Sequence, residues 1–183
     1  MAHGNPFGTL VKYSTETNQA VARTTLGLFP ASMEISNITG FLYCVNFNLH
    51  GSMKPSNVSV VDPETMTEIT KITTGSMPHG SRLSPDGLFQ YSVAMMSGEL
   101  FEIDALDLKV SRVLDLEKKM MNDKKMVGKM MNHDNMKGKV MSDDKKENMM
   151  NTMDGMKHSM VKPTWVIPHP KENVAYIAGN GSD

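Results

Sequence analysis

The stretch that decides the fold is PHGSRLSPDGLFQYSVA, Pro78–Ala94. It opens on proline. Its middle, Ser84-Pro85-Asp86-Gly87, fits a type I turn, with proline at the second position and glycine at the fourth. Short runs of apolar, aromatic and β-branched residues flank that turn, which predicts two strands joined as a hairpin. Two further segments align with it without gaps: PASMEISNITGFLYCVN, Pro30–Asn46, and PTWVIPHPKENVAYIAG, Pro163–Gly179. Each starts with proline and carries tyrosine thirteen residues later, at Tyr43, Tyr91 and Tyr176.

A second set of segments interleaves with the first: LVKYSTETNQAVART from Leu10, VSVVDPETMTEITKIT from Val58 and LFEIDALDLKVSRVL from Leu100. An apolar strand ends at Ser14, Asp62 or Asp104, a short turn follows, and a second strand alternates apolar residues such as Ile69 and Ile72. Asp62 and Asp104 hold equivalent turn positions and read as turn caps, not as an acid pair. Two hairpins per unit make a four-stranded antiparallel sheet of about 45 residues, the size of a propeller blade.

Pro78–Ala94 followed by GELFEID, Gly98–Asp104, resembles a YVTN-type β-propeller repeat. Such repeats occur in surface-layer and YncE-like proteins, with related blades in lactonase-like and cytochrome d1-like propellers. The second unit matches best. The first departs at its turn (SNITG), and the third stops after two strands. The resemblance implies an all-β fold: a partial β-propeller of four-stranded antiparallel blades, about three of them, with a long flexible Met-rich insertion. Closed rings need about four to eight blades, so the expectation is a piece of a longer protein. The resemblance further implies a periplasmic, cell-surface or secreted location, although MAHGNPFGTL lacks the features of a signal peptide. It leaves the activity open, because propellers host many.

The repeat also locates what does not belong to it. Ser14 to Pro30 and Asp62 to Pro78 both span 16 residues, whereas Asp104 to Pro163 spans 59. The excess is a 43-residue insertion, Lys118–Met160, in a connector from an outermost to an innermost strand. Residues 1–117 are thus read as blades, 118–160 as the insertion, and 161–183 as the start of the next blade. The insertion holds twelve of the nineteen methionines, ten lysines, six acidic residues and two histidines, for a charge of +4 against −5 elsewhere. With Val127 and Val140 as its only aliphatic residues, it cannot offset its ordering entropy and is expected to be a flexible loop.

Thioether sulfur is soft and suits Cu(I), as imidazole also does, and it needs no deprotonation to bind. The candidate ligands in the insertion are Met120, Met121, Met126, Met130, Met131, His133, Met136, Met141, Met149, Met150, Met153, Met156, His158 and Met160. The composition resembles the methionine-rich segments of periplasmic copper-handling proteins. The repeat register brings His50, Met53, Met95 and Met96 to the same face, in loops between second and third strands, with His79 at the start of an innermost strand. His169 matches Ser84 and lies at the other end. The lysines oppose a cation. A solvated loop, an adhesive Met-rich surface for a protein partner and a sink for oxidants are the competing readings.

Other chemistry is excluded or unsupported. There is no basic excess for nucleic acid, no apolar run long enough for a membrane span, and no zinc signature, phosphate loop, G-x-S-x-G or HExxH. Cys44, in FLYCVNF, reads as a buried inert thiol. The leading expectation is therefore a propeller that binds a soft metal, copper first, for sequestration, delivery or resistance. A propeller enzyme of lactonase-like or quinoprotein-like type is the alternative, with His79 lining the channel; its equivalents Ala31 and Thr164 do not extend a histidine hub. A surface scaffold for other proteins is the third reading.

Overall fold

The computed structural model describes residues 7–49, 53–118 and 159–181. Twelve strands run through them: β1 (Thr9–Tyr13), β2 (Ala20–Thr25), β3 (Pro30–Ile35), β4 (Leu42–Asn46), β5 (Pro55–Asp62), β6 (Thr67–Ser76), β7 (Pro78–Leu83), β8 (Phe89–Ala94), β9 (Glu99–Asp104), β10 (Lys109–Asp115), β11 (Pro163–Pro168) and β12 (Ala175–Gly179). They form two four-stranded meanders, β3-β4-β5-β6 and β7-β8-β9-β10, between two hairpins, β1-β2 and β11-β12. All the pairings are antiparallel. The protein is thus a partial β-propeller of two full blades and two half-blades. The insertion, apart from its two ends, lies outside the described residues.

The aligned hairpins are the inner halves of blades and the interleaved ones the outer halves. Register repeats between blades. Tyr43 stands opposite Val60 and Cys44 opposite Ser59, while Tyr91 stands opposite Glu102 and Ser92 opposite Phe101. The middle strands do not alternate inside and outside. Tyr43, Cys44, Val45 and Asn46 are all buried, as are Val58, Ser59, Val60 and Val61. A continuously buried strand has to be covered on both faces. One face of the first full blade packs against β1-β2 through Leu10, Leu26, Cys44, Val61 and Met66. The other packs against the second blade through Tyr43, Val45, Val58, Val60, Ile72, Ile103 and Ala105.

Hydrogen bonds pin the blades together. The Tyr43 hydroxyl donates to the Ala105 carbonyl at 3.0 Å, and Ser36 Oγ donates to the Gly87 carbonyl at 3.0 Å. Leu83 N–H donates to Glu34 Oε2 at 2.6 Å. Lys12 Nζ reaches the Pro63 carbonyl at 2.9 Å. Innermost strands approach so closely that a Cβ on Gly80 would stand 2.6 Å from Trp165 Cα and 2.7 Å from the Thr164 carbonyl oxygen. Only glycine fits there without moving backbone.

Each outer hairpin turns the same way. Asp62 accepts from Glu64 N–H and the Thr65 hydroxyl, Asp104 from Leu106 and Asp107 N–H, and Ser14 Oγ from Thr17 N–H. Four residues beyond each cap, Asn18, Met66 and Leu108 take left-handed φ of 56°, 56° and 53°. The residues before the three repeat prolines do the same: Phe29 at 53°, Met77 at 52° and Lys162 at 42°.

These contacts make two predictions. Tyr43→Phe leaves the Ala105 carbonyl without its phenol donor, a loss of about 1 kcal/mol for a buried bond. Thermal unfolding should show Tm lowered by about 2–4 °C. The turn carboxylates sit below their ordinary value of 3.8: Asp62 through the Thr65 hydroxyl and then Glu64 N–H, Asp86 through the Ser84 hydroxyl and then Leu88 N–H, and Asp104 through Asp107 and then Leu106 N–H. A depressed folded pKa contributes stability above the unfolded value that is lost as pH falls through the folded one. Urea midpoints should therefore drop as pH falls below about 4, and drop less steeply in a variant with all three changed to alanine.

Candidate metal-binding face

The chain turns between strands at both ends of the blades, and one end carries the described candidates Met53, Met95, Met96 and Met160. Ser76 is its knot. Ser76 Oγ donates to the Met53 carbonyl at 2.6 Å, and Ser76 N–H donates to Ser97 Oγ at 3.3 Å. The Ser76 carbonyl accepts from Met96 N–H at 3.2 Å, and the Met77 carbonyl accepts from Met95 N–H at 3.0 Å. Met77 and Met95 are thus joined directly, and Met53 and Met96 each bond to Ser76. Met77 is buried, and the others are half-buried.

The two ends of the 118–160 connector are rooted beside them. Asp115 Oδ1 caps a helical turn at 116–118 by accepting from Glu117 and Lys118 N–H at 3.1 and 3.0 Å. Leu116 N–H donates to the Gly98 carbonyl at 3.0 Å, and Ser159 N–H donates to the Met96 carbonyl at 2.9 Å. Met160 N–H donates to Glu117 Oε1 at 3.2 Å, joining the outgoing and returning chain. Gly98, at φ 69°, leaves the room that Ser159 fills: a Cβ there would lie 2.3 Å from Ser159 Oγ. The described donors brought together are thus Met53, Met95 and Met96 beside Met160, whose side chain is exposed. His50, Met120, Met121, Met126, Met130, Met131, His133, Met136, Met141, Met149, Met150, Met153, Met156 and His158 lie outside the described residues.

His79 is bound into the fold by one ring nitrogen. Its Nδ1 lies 3.0 Å from the Thr164 carbonyl oxygen. A carbonyl only accepts, so Nδ1 carries the proton and Nε2 keeps its lone pair in the neutral ring. The ring stands edge-on to Phe47 at 4.8 Å and to Trp165 at 6.0 Å. Ser32 Oγ meets the His79 carbonyl at 2.7 Å, so this residue ties three successive innermost strands. Trp165 is half-buried and carries the Arg82 guanidinium over its face at 4.9 Å.

His169 lies at the other end. Its Nδ1 accepts from Lys171 and Glu172 N–H at 3.3 and 2.9 Å, the task Ser36 Oγ performs for Ile38 and Thr39 N–H. Among the described residues, no group of three or more His, Cys, Asp or Glu could hold a metal ion; the donors on this face are thioethers with one imidazole nearby. Glu117, Ser76 and Ser159, which hold the face together, escaped the sequence reading. Met77, left-handed at φ 52°, was not among the sequence candidates.

Comparison with known proteins supports the fold and stops there. No family model matches the chain, and no curated protein matches it. Among solved structures, the chain is similar to hydrazine synthase of Kuenenia stuttgartiensis, with TM-score 0.51 and 25% identity over 57% of this chain and 29% of that one. It is also similar to a structure described as the Dos1 propeller, with TM-score 0.46 and 16% identity over 60% of this chain and 32% of that one. The second likeness is too distant to bear weight. The chain spans about a third of the length of either structure or less. No helix among the described residues is long and apolar enough to cross a membrane.

Cys44, the one thiol, is sealed away from this face. It is fully buried, and desolvation pushes its pKa up to about 11. Thiolate is the metal ligand and the nucleophile, so Cys44 should give no reaction with a thiol reagent in native buffer and one equivalent per chain after unfolding, read by absorbance.

Proposed function

We propose that the chain is the propeller part of a secreted or periplasmic protein of YVTN type, and that it binds a soft metal ion, Cu(I) first. The ligands are the methionines and histidines of 118–160, with Met53, Met95, Met96 and Met160 beside the root and His50 and His79 on the same side. The observation that carries the reading is the confinement of twelve of nineteen methionines, with His133 and His158, to one expanded connector. The hydrogen bonds that root this connector beside Met95 and Met96 support it.

The chemistry follows from ligand softness. Two to four thioethers, joined by imidazole, can surround a Cu(I) ion that oxygen ligands hold poorly. Thioethers carry no proton to displace, so binding persists in mildly acid and oxidising surroundings where thiols fail. Rigid blades supply an anchor, and the connector supplies donors. The role is sequestration, delivery or resistance, and no acid, base or nucleophile is assigned.

The test is titration with Cu(I) against a competing chelator. The full chain should withdraw at least one equivalent. A variant with the twelve connector methionines changed to leucine should lose it, with an affinity drop of at least about 100-fold. Unchanged affinity in that variant, or after deletion of Lys118–Met160, sinks the reading.

A further inference from the structure

The seam between the two four-stranded blades holds a polar group that the repeat does not call for. Pro30–Asn46 and Pro78–Ala94 align position by position, and Met33, Leu42 and Cys44 of the first correspond to Ser81, Gln90 and Ser92 of the second. Three apolar side chains in one blade are thus three polar ones in the next. All three polar residues are fully buried.

Register puts them side by side. Ser81 stands directly opposite Ser92. Gln90 and Ser92 are two residues apart on β8, so the three share a face of the sheet. Gln90 stands opposite Ile103, and Ile103 belongs to the core built with Tyr43, Val45, Val58 and Val60. The group therefore looks into the seam, toward the first full blade.

Its internal bonds leave atoms over. Gln90 Nε2 donates to Ser81 Oγ, and Ser81 Oγ donates to the Tyr91 carbonyl at 2.9 Å. Gln90 Oε1 and Ser92 Oγ are closed to solvent and have no partner among the described residues. Thr74 Oγ1 is a third such atom. It lies on β6, the strand of the first blade that packs against β8. A buried amide or hydroxyl left unmatched is destabilising, and an interior water relieves it where two to four polar partners meet. We propose that this seam binds one internal water molecule. The water donates to Gln90 Oε1 and bonds Ser92 Oγ, with Thr74 Oγ1 the available third partner from the first blade. The ligand is water and not an ion, because the atoms that face it are a neutral amide and neutral hydroxyls. The water gives β8 a polar link that the apolar set Met33, Leu42 and Cys44 does not supply in the other blade.

Two measurements on the 183-residue chain test this. In Ser92→Ala the water loses an anchor, so Tm should fall by about 2–4 °C. In a dry seam the same change removes an unmatched hydroxyl, and Tm should rise. Gln90→Leu with Ser92→Cys installs the residues of the first blade, and Ser81 keeps its bond to the Tyr91 carbonyl. Deuterium relaxation dispersion of the solvent counts long-lived interior waters, and that double variant should hold one fewer than the parent chain. A Tm unchanged or raised in Ser92→Ala, or equal dispersion amplitudes from parent and double variant, would overturn the proposal and mark the seam as dry.

Discussion

A β-sheet with apolar side chains on both faces cannot stand in water alone, and every other feature of this protein follows from that. β4 and β5 bury residues on both sides without alternation, so each needs a neighbour in front and behind. Sheets of about four strands satisfy the demand by stacking face to face around an axis, with innermost strands close together and outermost strands wet. Gly80 is the local price of that convergence, since β7 and β11 come too near for any side chain between them. Among the described residues, Ile35 and Ile167 lie on faces of this kind and are exposed.

Stacking by apolar area alone would let blades slide, and polar bonds between them set the registration. Tyr43 reaches across to Ala105, Ser36 to Gly87, and Glu34 takes the Leu83 amide. His79 does the most, joining β3, β7 and β11 through its carbonyl, its Nδ1 and its edge-on ring contacts. A buried polar group left unmatched costs more than an average bond contributes, so such contacts penalise wrong arrangements more than they stabilise the right one. The connector face inherits this rigidity: Ser76 and Ser97 lock the loops, and Glu117 closes the neck of the long connector.

The blade plan was open to reading because its signals are local. Proline, a turn and tyrosine at fixed spacing, with an aspartate or serine cap in the alternate hairpin, encode strands and turns within a few residues of each other. What stayed hidden acts between blades. His79 finds its carbonyl partner 85 residues away, and no spacing advertises that. His169 was visible in the column it shares with Ser36 and Ser84, since a side chain with a lone pair recurs there, but imidazole is seldom thought of as a turn cap. No spacing marks Glu117, whose bond to the Met160 amide spans the whole connector. On the candidate face, the convergence of Met53, Met95 and Met96 followed from counting strands, whereas the serines that fix them did not.

The left-handed residues bear on what this chain can become. Among the described residues, every non-glycine residue with left-handed φ is Asn, Phe, Met, Leu or Lys, and none is β-branched. The same chain fills its strands with Val, Ile and Thr. Left-handed backbone crowds the Cβ, and a second branch there makes the conformation prohibitive, so drift at these sites is confined to a narrow alphabet of unbranched side chains. Met53, Met66 and Met77 occupy three of them. Methionine offers an unbranched Cβ with a long apolar reach, so it is tolerated at these three positions where a β-branched residue would not be. At 66 and 77 leucine is therefore an acceptable exchange, and valine is not.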